Sequence, residues 1–302
     1  MDHSFSGIYP AFLTPLDENR NFVPRMAERL FAYLLAAGVD GTYVAGSTGE
    51  GLLLPVETRK ALVETLMPML PEGKKLIVHV GAQKVETAVE LAQHAARKGA
   101  QAVSSLPPKG DRNAVREYYT VLARESPLPL ILYYFPKAAP EAFTGSEELM
   151  EVAGMPNVLG VKFTDFNLYL LQRLVAQGKT VFNGYDEVLA AGLLMGAQGG
   201  IGSTYNIMPQ VYLEIARAAR EGDWETARAW QQRVNRMIEV LVRYPFTAAL
   251  RTAMRARGFD CGPNLAGQVM TPGQQEQLLN EMDSAMGPEI QALIGWRKAT
   301  AA

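Results

Sequence analysis

A closed parallel (β/α)8 barrel of the TIM type, followed by a C-terminal helical extension, is the fold class this sequence predicts. Three observations point to it. Short β-rich runs alternate with longer amphipathic patterns eight times within about 220 residues. The alternation continues without a linker or low-complexity stretch. The strand-like runs are apolar at consecutive positions, as strands covered on both faces are. A right-handed crossover helix after every strand keeps all eight parallel, so the last unit returns to the first. An open doubly wound sheet is the alternative. It would place a G-x-G-x-x-G turn after the first strand, whereas Gly46-Ser47-Thr48-Gly49 follows the second and lacks that spacing.

Taken in order, Ile8–Leu13 reads as the first strand and Arg25–Ala37 as its helix. Thr42–Ala45 is the second strand and Val56–Leu70 the second helix, with Pro55 setting the φ of its first turn. Lys75–Val80 and Lys84–Lys98 form the third unit, closed by Gly99, and Ala102–Leu106 with Asn113–Glu125 the fourth, closed by Pro127. The next three units are Leu130–Tyr134 with Ser146–Val152, Val158–Thr164 with Leu168–Gln177, and Thr180–Asn183 with Glu187–Met195. Gly199–Ser203 is the eighth strand, followed by Met208–Arg220. Beyond it, Trp224–Leu241 is amphipathic through Ala227, Trp230, Val234, Met237 or Ile238, and Leu241, and helices are expected at Phe246–Ala256 and Gly273–Met286. The barrel carrying the active site is thus placed at residues 1–222, and a helical segment packed on it in the same domain at 223–302. No chemistry is legible in that last segment.

The 302 residues are 48% hydrophobic and 20% charged, an ordinary globular composition. Twenty-nine basic against 31 acidic residues give a formal net charge of −2 without a long run of one sign. Nucleic acid and anionic membrane are therefore disfavoured as partners, and a small molecule is expected. The single cysteine, Cys261, excludes an internal disulfide and fits a reducing compartment. The first residues, MDHSFSG, lack a basic-then-apolar signal, and the longest apolar stretch, Val188–Gly202, is too short and too broken by glycine to span a bilayer. The expectation is a cytoplasmic protein.

Lys162 stands out within the apolar run Val158–Phe166, VLGVKFTDF. A lysine in a two-sided strand loses hydration that an ion pair, a snorkelling stem or a change of protonation must offset. The chemical reading is the last: desolvation lowers a lysine pKa from its ordinary value of about 10.4, and a neutral amine adds to a carbonyl to give a Schiff base. Active sites of such barrels gather where strands end, and four other strand ends supply candidates. Gly46-Ser47-Thr48-Gly49-Glu50 follows the second strand; its glycines admit close approach and its successive N–H groups suit a carboxylate or phosphate. Tyr133-Tyr134-Phe135-Pro136 ends the fifth; side chains alternate, so one of the two phenols faces the barrel mouth, placed to pass a proton. Asp186 and Glu187 after the seventh are either partners of a helix dipole or acceptors for polyol hydroxyls. Gly199–Asn206, GGIGSTYN, brings hydroxyls suited to a polar substrate.

In order and spacing, GSTGE at 46–50, YYFP at 133–136, GVKFTD at 160–165, FNGYDE at 182–187 and GGIGSTYN at 199–206 resemble the N-acetylneuraminate lyase and dihydrodipicolinate synthase family of class I aldolases. The resemblance runs from about Gly7 through the C-terminal helices, and the Asp-Glu pair and GSTYN look most like the sialic acid lyases. It implies that Lys162 forms the Schiff base and that Tyr133 transfers protons, with Tyr134 at a neighbouring position that varies. It further implies that Ser47 and Thr48 hold the 2-keto acid carboxylate, and that Thr164, Gly184, Asp186, Glu187 and Ser203 bind the hydroxylated chain. The implied reaction is reversible cleavage of N-acetylneuraminate to N-acetylmannosamine and pyruvate in a homotetramer, with neither metal nor cofactor, because the iminium is itself the electron sink.

Two departures from the family pattern are visible. Ala138 stands where the synthase branch usually has an arginine for its aldehyde's carboxylate, which disfavours the synthase reading. The loop Leu106-Pro107-Pro108-Lys109-Gly110-Asp111 lacks the tyrosine that many members send to a neighbouring subunit's site. The alternatives are an aldolase or dehydratase for another 2-keto-3-deoxy sugar acid and, from a different class, a catalytically silent sugar-acid-binding barrel.

Overall fold

The computed structural model describes residues 5–143 and 145–296. Its eight strands are β1 (Gly7–Pro10), β2 (Gly41–Val44), β3 (Lys75–His79), β4 (Ala102–Ser105), β5 (Leu130–Tyr134), β6 (Val158–Phe163), β7 (Thr180–Asn183) and β8 (Gly199–Gly202). They pair in the order β1-β8-β7-β6-β5-β4-β3-β2, with every ladder parallel. The remaining seam, between β1 and β2, is closed by a parallel bridge from Ala11 to Tyr43, where the Phe12 N–H donates to the Tyr43 carbonyl at 2.8 Å. Lower on the same seam the Asp40 carboxylate accepts from the Ile8 N–H at 2.8 Å, a side chain standing in for a ladder bond. β1 ends at Pro10 and does not run on to Leu13; beyond it the Ala11 N–H still reaches the Gly202 carbonyl of β8 and the Phe12 N–H reaches β2, while Pro10, without an N–H, leaves a gap in the β1–β2 seam.

Strand alternation sorts the core into two layers. Tyr9, Tyr43, Ile77, Ile131, Phe182 and Ile201 fill the barrel interior. Their neighbours Ile8, Val44, Val78, Leu132 and Val181 point outward, into the layer shared with the helices. Both faces are therefore apolar, which is why the strands read as continuous hydrophobic runs. Each such side chain contributes roughly 1.5–3 kcal/mol on burial.

The outer ring is α1 (Pro24–Ala36), α2 (Val56–Leu66), α3 (Val85–Arg97), α4 (Arg112–Glu125), α5 (Ser146–Ala153), α6 (Leu168–Ala176), α7 (Leu189–Leu194) and α8 (Pro209–Arg220). Asp111 caps α4 by accepting from the Asn113 and Ala114 N–H groups. The C-terminal segment is α9 (Trp224–Leu241), α10 (Phe246–Ala256) and α11 (Pro272–Ile294). Three helices differ from expectation. α2 stops at Leu66 and tightens to a 3₁₀ turn over Met67–Met69, since Pro68 cannot donate within the ladder. The seventh helix is split into a 3₁₀ turn, Asp186–Val188, and the short α7. α11 continues past Met286 across a kink at Gly287, whose φ of 65° breaks the ladder before Pro288. Among the described residues no helix is long and apolar enough to cross a membrane.

One buried ion pair ties the C-terminal segment to the barrel mouth. The Arg251 Nη2 of α10 lies 2.9 Å from the Glu50 Oε2, both side chains almost wholly buried. The other Glu50 oxygen accepts from the Leu265 and Ala266 N–H groups, and Arg251 also donates to the carbonyls of Thr14 and Cys261. Removing one member strands the other charge, so Arg251→Met is expected to lose about 3–5 kcal/mol of stability in chemical denaturation.

Candidate active site

Lys162 lies on β6 in register with Tyr133 of β5 and Phe182 of β7. Residues paired in a parallel ladder share a face, so all three side chains point into the barrel, while Tyr134 and Phe163 point away. Tyr134 accordingly stacks on Phe163, with ring centroids 5.2 Å apart. Burial and the neighbouring Asp165 carboxylate push its phenol up to about 12. Lys162 is 4% exposed, and its Nζ sits 4.0 Å from the Tyr133 ring centroid and 4.4 Å from that of Tyr43. Two aromatic faces thus fix the nitrogen at the top of the packed interior.

Sequence reasoning had not singled out Tyr43, nor His79 beside it. Tyr43 donates to the Ser104 hydroxyl at 3.0 Å, which pins its ring. His79 meets the Tyr133 ring edge-on at 6.2 Å and accepts from the Leu106 N–H through Nε2 at 3.0 Å. Burial, reinforced by the Arg59 and Lys162 charges, pushes its pKa well below the usual histidine value and keeps it neutral. Tyr43 is one apolar residue of a buried strand and carries no local mark; His79, the last residue of β3, could have been found as a polar residue ending an apolar run.

The loop after β2 is held in an unusual backbone. Ala45 and Glu50, which flank Gly46–Gly49, have φ of 56° and 54°. Non-glycine residues in that region cost on the order of 1–3 kcal/mol each, which the buried Glu50–Arg251 pair helps to offset. Within the loop the Ser47 hydroxyl lies 3.4 Å from the Tyr133 hydroxyl, and the Thr48 and Ser203 hydroxyls bond at 2.7 Å, joining the ends of β2 and β8.

On the opposite side stand Thr164, Gly184, Asp186 and Glu187. The Thr164 hydroxyl is buried with no hydrogen-bond partner among the described residues. A Cβ on Gly184 would collide with it, so the space beside that hydroxyl requires glycine at 184. Asp186 accepts through Oδ2 from the Thr204 N–H at 2.8 Å and the Thr204 hydroxyl at 2.6 Å, so one of its oxygens is already engaged. Burial raises its pKa to about 6, with Glu187 adding to the rise and the Thr204 bonds opposing it.

All nine residues singled out from sequence, Ser47, Thr48, Tyr133, Lys162, Thr164, Gly184, Asp186, Glu187 and Ser203, line one cavity of about 380 Å³. The outer wall comes largely from elsewhere: Ile238 of α9, Val242 just past its end, and Phe246, Thr247 and Leu250 of α10. The C-terminal segment, unreadable as chemistry in the sequence, therefore contributes an apolar flank. Phe135, Tyr185 and Lys137 complete the rim, with Lys137 Nζ 5.6 Å from the Tyr185 ring centroid. The loop at 106–111 brings no residue into the lining; its Lys109 main chain is bonded to Gln83 instead. Among the described residues no group of three or more His, Cys, Asp or Glu side chains is placed to hold a metal.

Known proteins resemble this chain along most of its length. The Dihydrodipicolinate synthetase family matches residues 4–284. The chain belongs to that family. Within it, the N-acetylneuraminate lyase of Rhizobium meliloti (strain 1021) is 34% identical over 300 residues, 97% of each chain. The N-acetylneuraminate lyase of Escherichia coli (strain K12 / DH10B) is 32% identical over 260 residues, 84% of this chain and 87% of its own. Among solved structures of these aldolases, the Ruminococcus gnavus sialic acid aldolase superposes with a TM-score of 0.88 at 26% identity, covering 96% of this chain and 99% of its own. The Proteus mirabilis N-acetylneuraminate lyase superposes with a TM-score of 0.85 at 30% identity, covering 93% and 98%. The family's fold is the barrel described above.

Asp186 gives the site a pH signature. Its folded value, about 6, lies above the ordinary carboxylate value, so the folded state binds the proton more tightly. That stabilisation is complete below about pH 4 and is lost as the pH rises through about 6, a change of about 3 kcal/mol. Asp186→Asn is expected to flatten this part of the stability curve, followed by urea unfolding at a series of pH values.

Proposed function

We propose that this protein cleaves N-acetylneuraminate reversibly to N-acetylmannosamine and pyruvate through a Schiff base on Lys162. The observation that carries the reading is the Lys162 amine held between Tyr133 and Tyr43 in a cavity with hydroxyls at one side and carboxyl groups at the other. The names of the relatives supply the substrate.

The Lys162 amine adds to the C2 ketone of the open-chain sugar acid, whose carboxylate lies against Ser47 and Thr48. Tyr133 gives its proton to the departing carbinolamine hydroxyl, water leaves, and a protonated imine forms. The same phenol oxygen then takes the proton of the C4 hydroxyl. The C3–C4 electron pair flows into the iminium, giving an enamine, and N-acetylmannosamine departs as the aldehyde. Tyr133 returns the proton to C3, and hydrolysis releases pyruvate and the free amine. Thr164, Asp186, Glu187 and Ser203 hold the hydroxylated chain, and Gly184 leaves it room. This reading needs neither metal nor cofactor, and it extends to a homotetramer acting in the cytoplasm on a small soluble substrate, without nucleic-acid or membrane partners.

Borohydride in the presence of pyruvate should add one reduced pyruvate to Lys162, read by peptide mass spectrometry. Lys162→Ala should lose both adduct and turnover while keeping the fold; retained turnover would end this mechanism. Tyr133→Phe is expected to lower kcat by roughly 10²–10⁴-fold with a smaller effect on KM, measured by coupled pyruvate release. An enzyme inert to N-acetylneuraminate but active on 2-keto-3-deoxygluconate would move the assignment to another sugar acid of the same class.

A further inference from the structure

The split in the seventh helix has a specific cause. In a regular α-turn the Ala190 N–H would donate to the Asp186 carbonyl. Here the amide of Gln231, on α9, stands between them: its Nε2 donates to the Asp186 carbonyl at 3.0 Å and its Oε1 accepts from the Ala190 N–H at 2.9 Å. One turn along α9, Asn235 donates to the next carbonyl, that of Glu187, at 3.0 Å. Gln231 Nε2 also donates to Asn235 Oδ1 at 2.8 Å, which locks the two amides together. A side chain inserted into the ladder in this way keeps the segment from closing into a helix.

Positions 231, 235 and 238 of α9, with 242 at its C-cap, lie along one stripe at helical spacing. The first two hold the Asp186-Glu187 turn, and the last two, Ile238 and Val242, line the cavity. From the other side Asp186 is held through its carboxylate by Thr204. The turn is thus fixed between α9 and the β8 loop. The groups assigned to the keto-acid end, Lys162, Tyr133, Ser47 and Thr48, are carried by β6, β5 and the loop after β2.

We infer that Gln231 and Asn235 are positioning residues for the hydroxylated half of the substrate, setting through the Asp186 and Glu187 carbonyls where those two carboxyl side chains meet a polyol aldehyde. The inference rests on the aldolase reading above. It assigns the C-terminal extension a part in substrate selection and leaves condensation with pyruvate to the barrel strands.

The test separates the two halves. For Gln231→Leu and for Asn235→Ala, the rate of borohydride trapping with pyruvate and the KM for aldehyde in the synthetic direction are measured, with N-acetylmannosamine and D-glyceraldehyde as the aldehydes. Asn235 is only half-buried, and Asn235→Ala leaves the Gln231 bonds to Asp186 and Ala190 in place, so a folded variant is available even if Gln231→Leu fails to fold. The expected result is a rise of roughly tenfold in aldehyde KM, the worth of one or two hydrogen bonds, with trapping unchanged within about twofold. Trapping that falls in proportion to the rise in aldehyde KM would reduce the pair to general support of the fold, and an unchanged KM would remove the positioning role. A wild-type enzyme that condenses glyceraldehyde but not N-acetylmannosamine overturns the sialic acid reading alone, and the pair is then judged on glyceraldehyde. One that condenses neither overturns both.

Discussion

The register of a single parallel ladder governs this molecule. Pairing β5 with β6 so that Tyr133 stands opposite Lys162 puts a phenol and an amine on the same face at the same height. A slip of one residue between the two strands would turn one of them over, putting either Tyr134 in place of Tyr133 or Phe163 in place of Lys162. The register is enforced by burial on both sides: Ile131 fills the barrel, while Leu132 and Val161 fill the helical layer. Chemistry at the mouth is therefore held by the same packing that makes the barrel.

The loops then converge because the barrel closes. Ser47 and Thr48 follow β2, and Ser203 follows β8; they are far apart in sequence yet Thr48 and Ser203 share a hydrogen bond. That closeness depends on the β1–β2 seam, where a bridge and the Asp40 carboxylate replace a full ladder. The buried Glu50–Arg251 pair adds a brace from α10, holding the loop after β2 in backbone conformations that non-glycine residues seldom adopt. The C-terminal helices serve the site in three ways: through this brace, through the apolar wall from Ile238 to Leu250, and through the Gln231 and Asn235 amides.

The fold was largely legible. Every strand and helix of the barrel was placed within a few residues, because two-sided strands and amphipathic helices leave different periods in the chain. The misses have local causes. Pro68 ended a helical ladder that the apolar pattern alone extended, and Gly287 allowed α11 to resume after a kink. The seventh helix was misread because Gln231, more than forty residues away, occupies its first hydrogen bond.

For the site, the sequence by itself determined which side chains end the strands, since alternation and glycine-rich turns are local properties. It singled out Lys162 because a charge in an apolar run is anomalous wherever the run folds. Alternation left open which of Tyr133 and Tyr134 faces inward, with the family resemblance alone pointing to Tyr133, and the chain held no sign of Tyr43, of the α9 amides or of what His79 meets. Only the closed barrel decided those. Facing direction depends on absolute register, and the partners of a buried amine or carbonyl come from segments with no neighbourhood in the chain until the strands close into a ring.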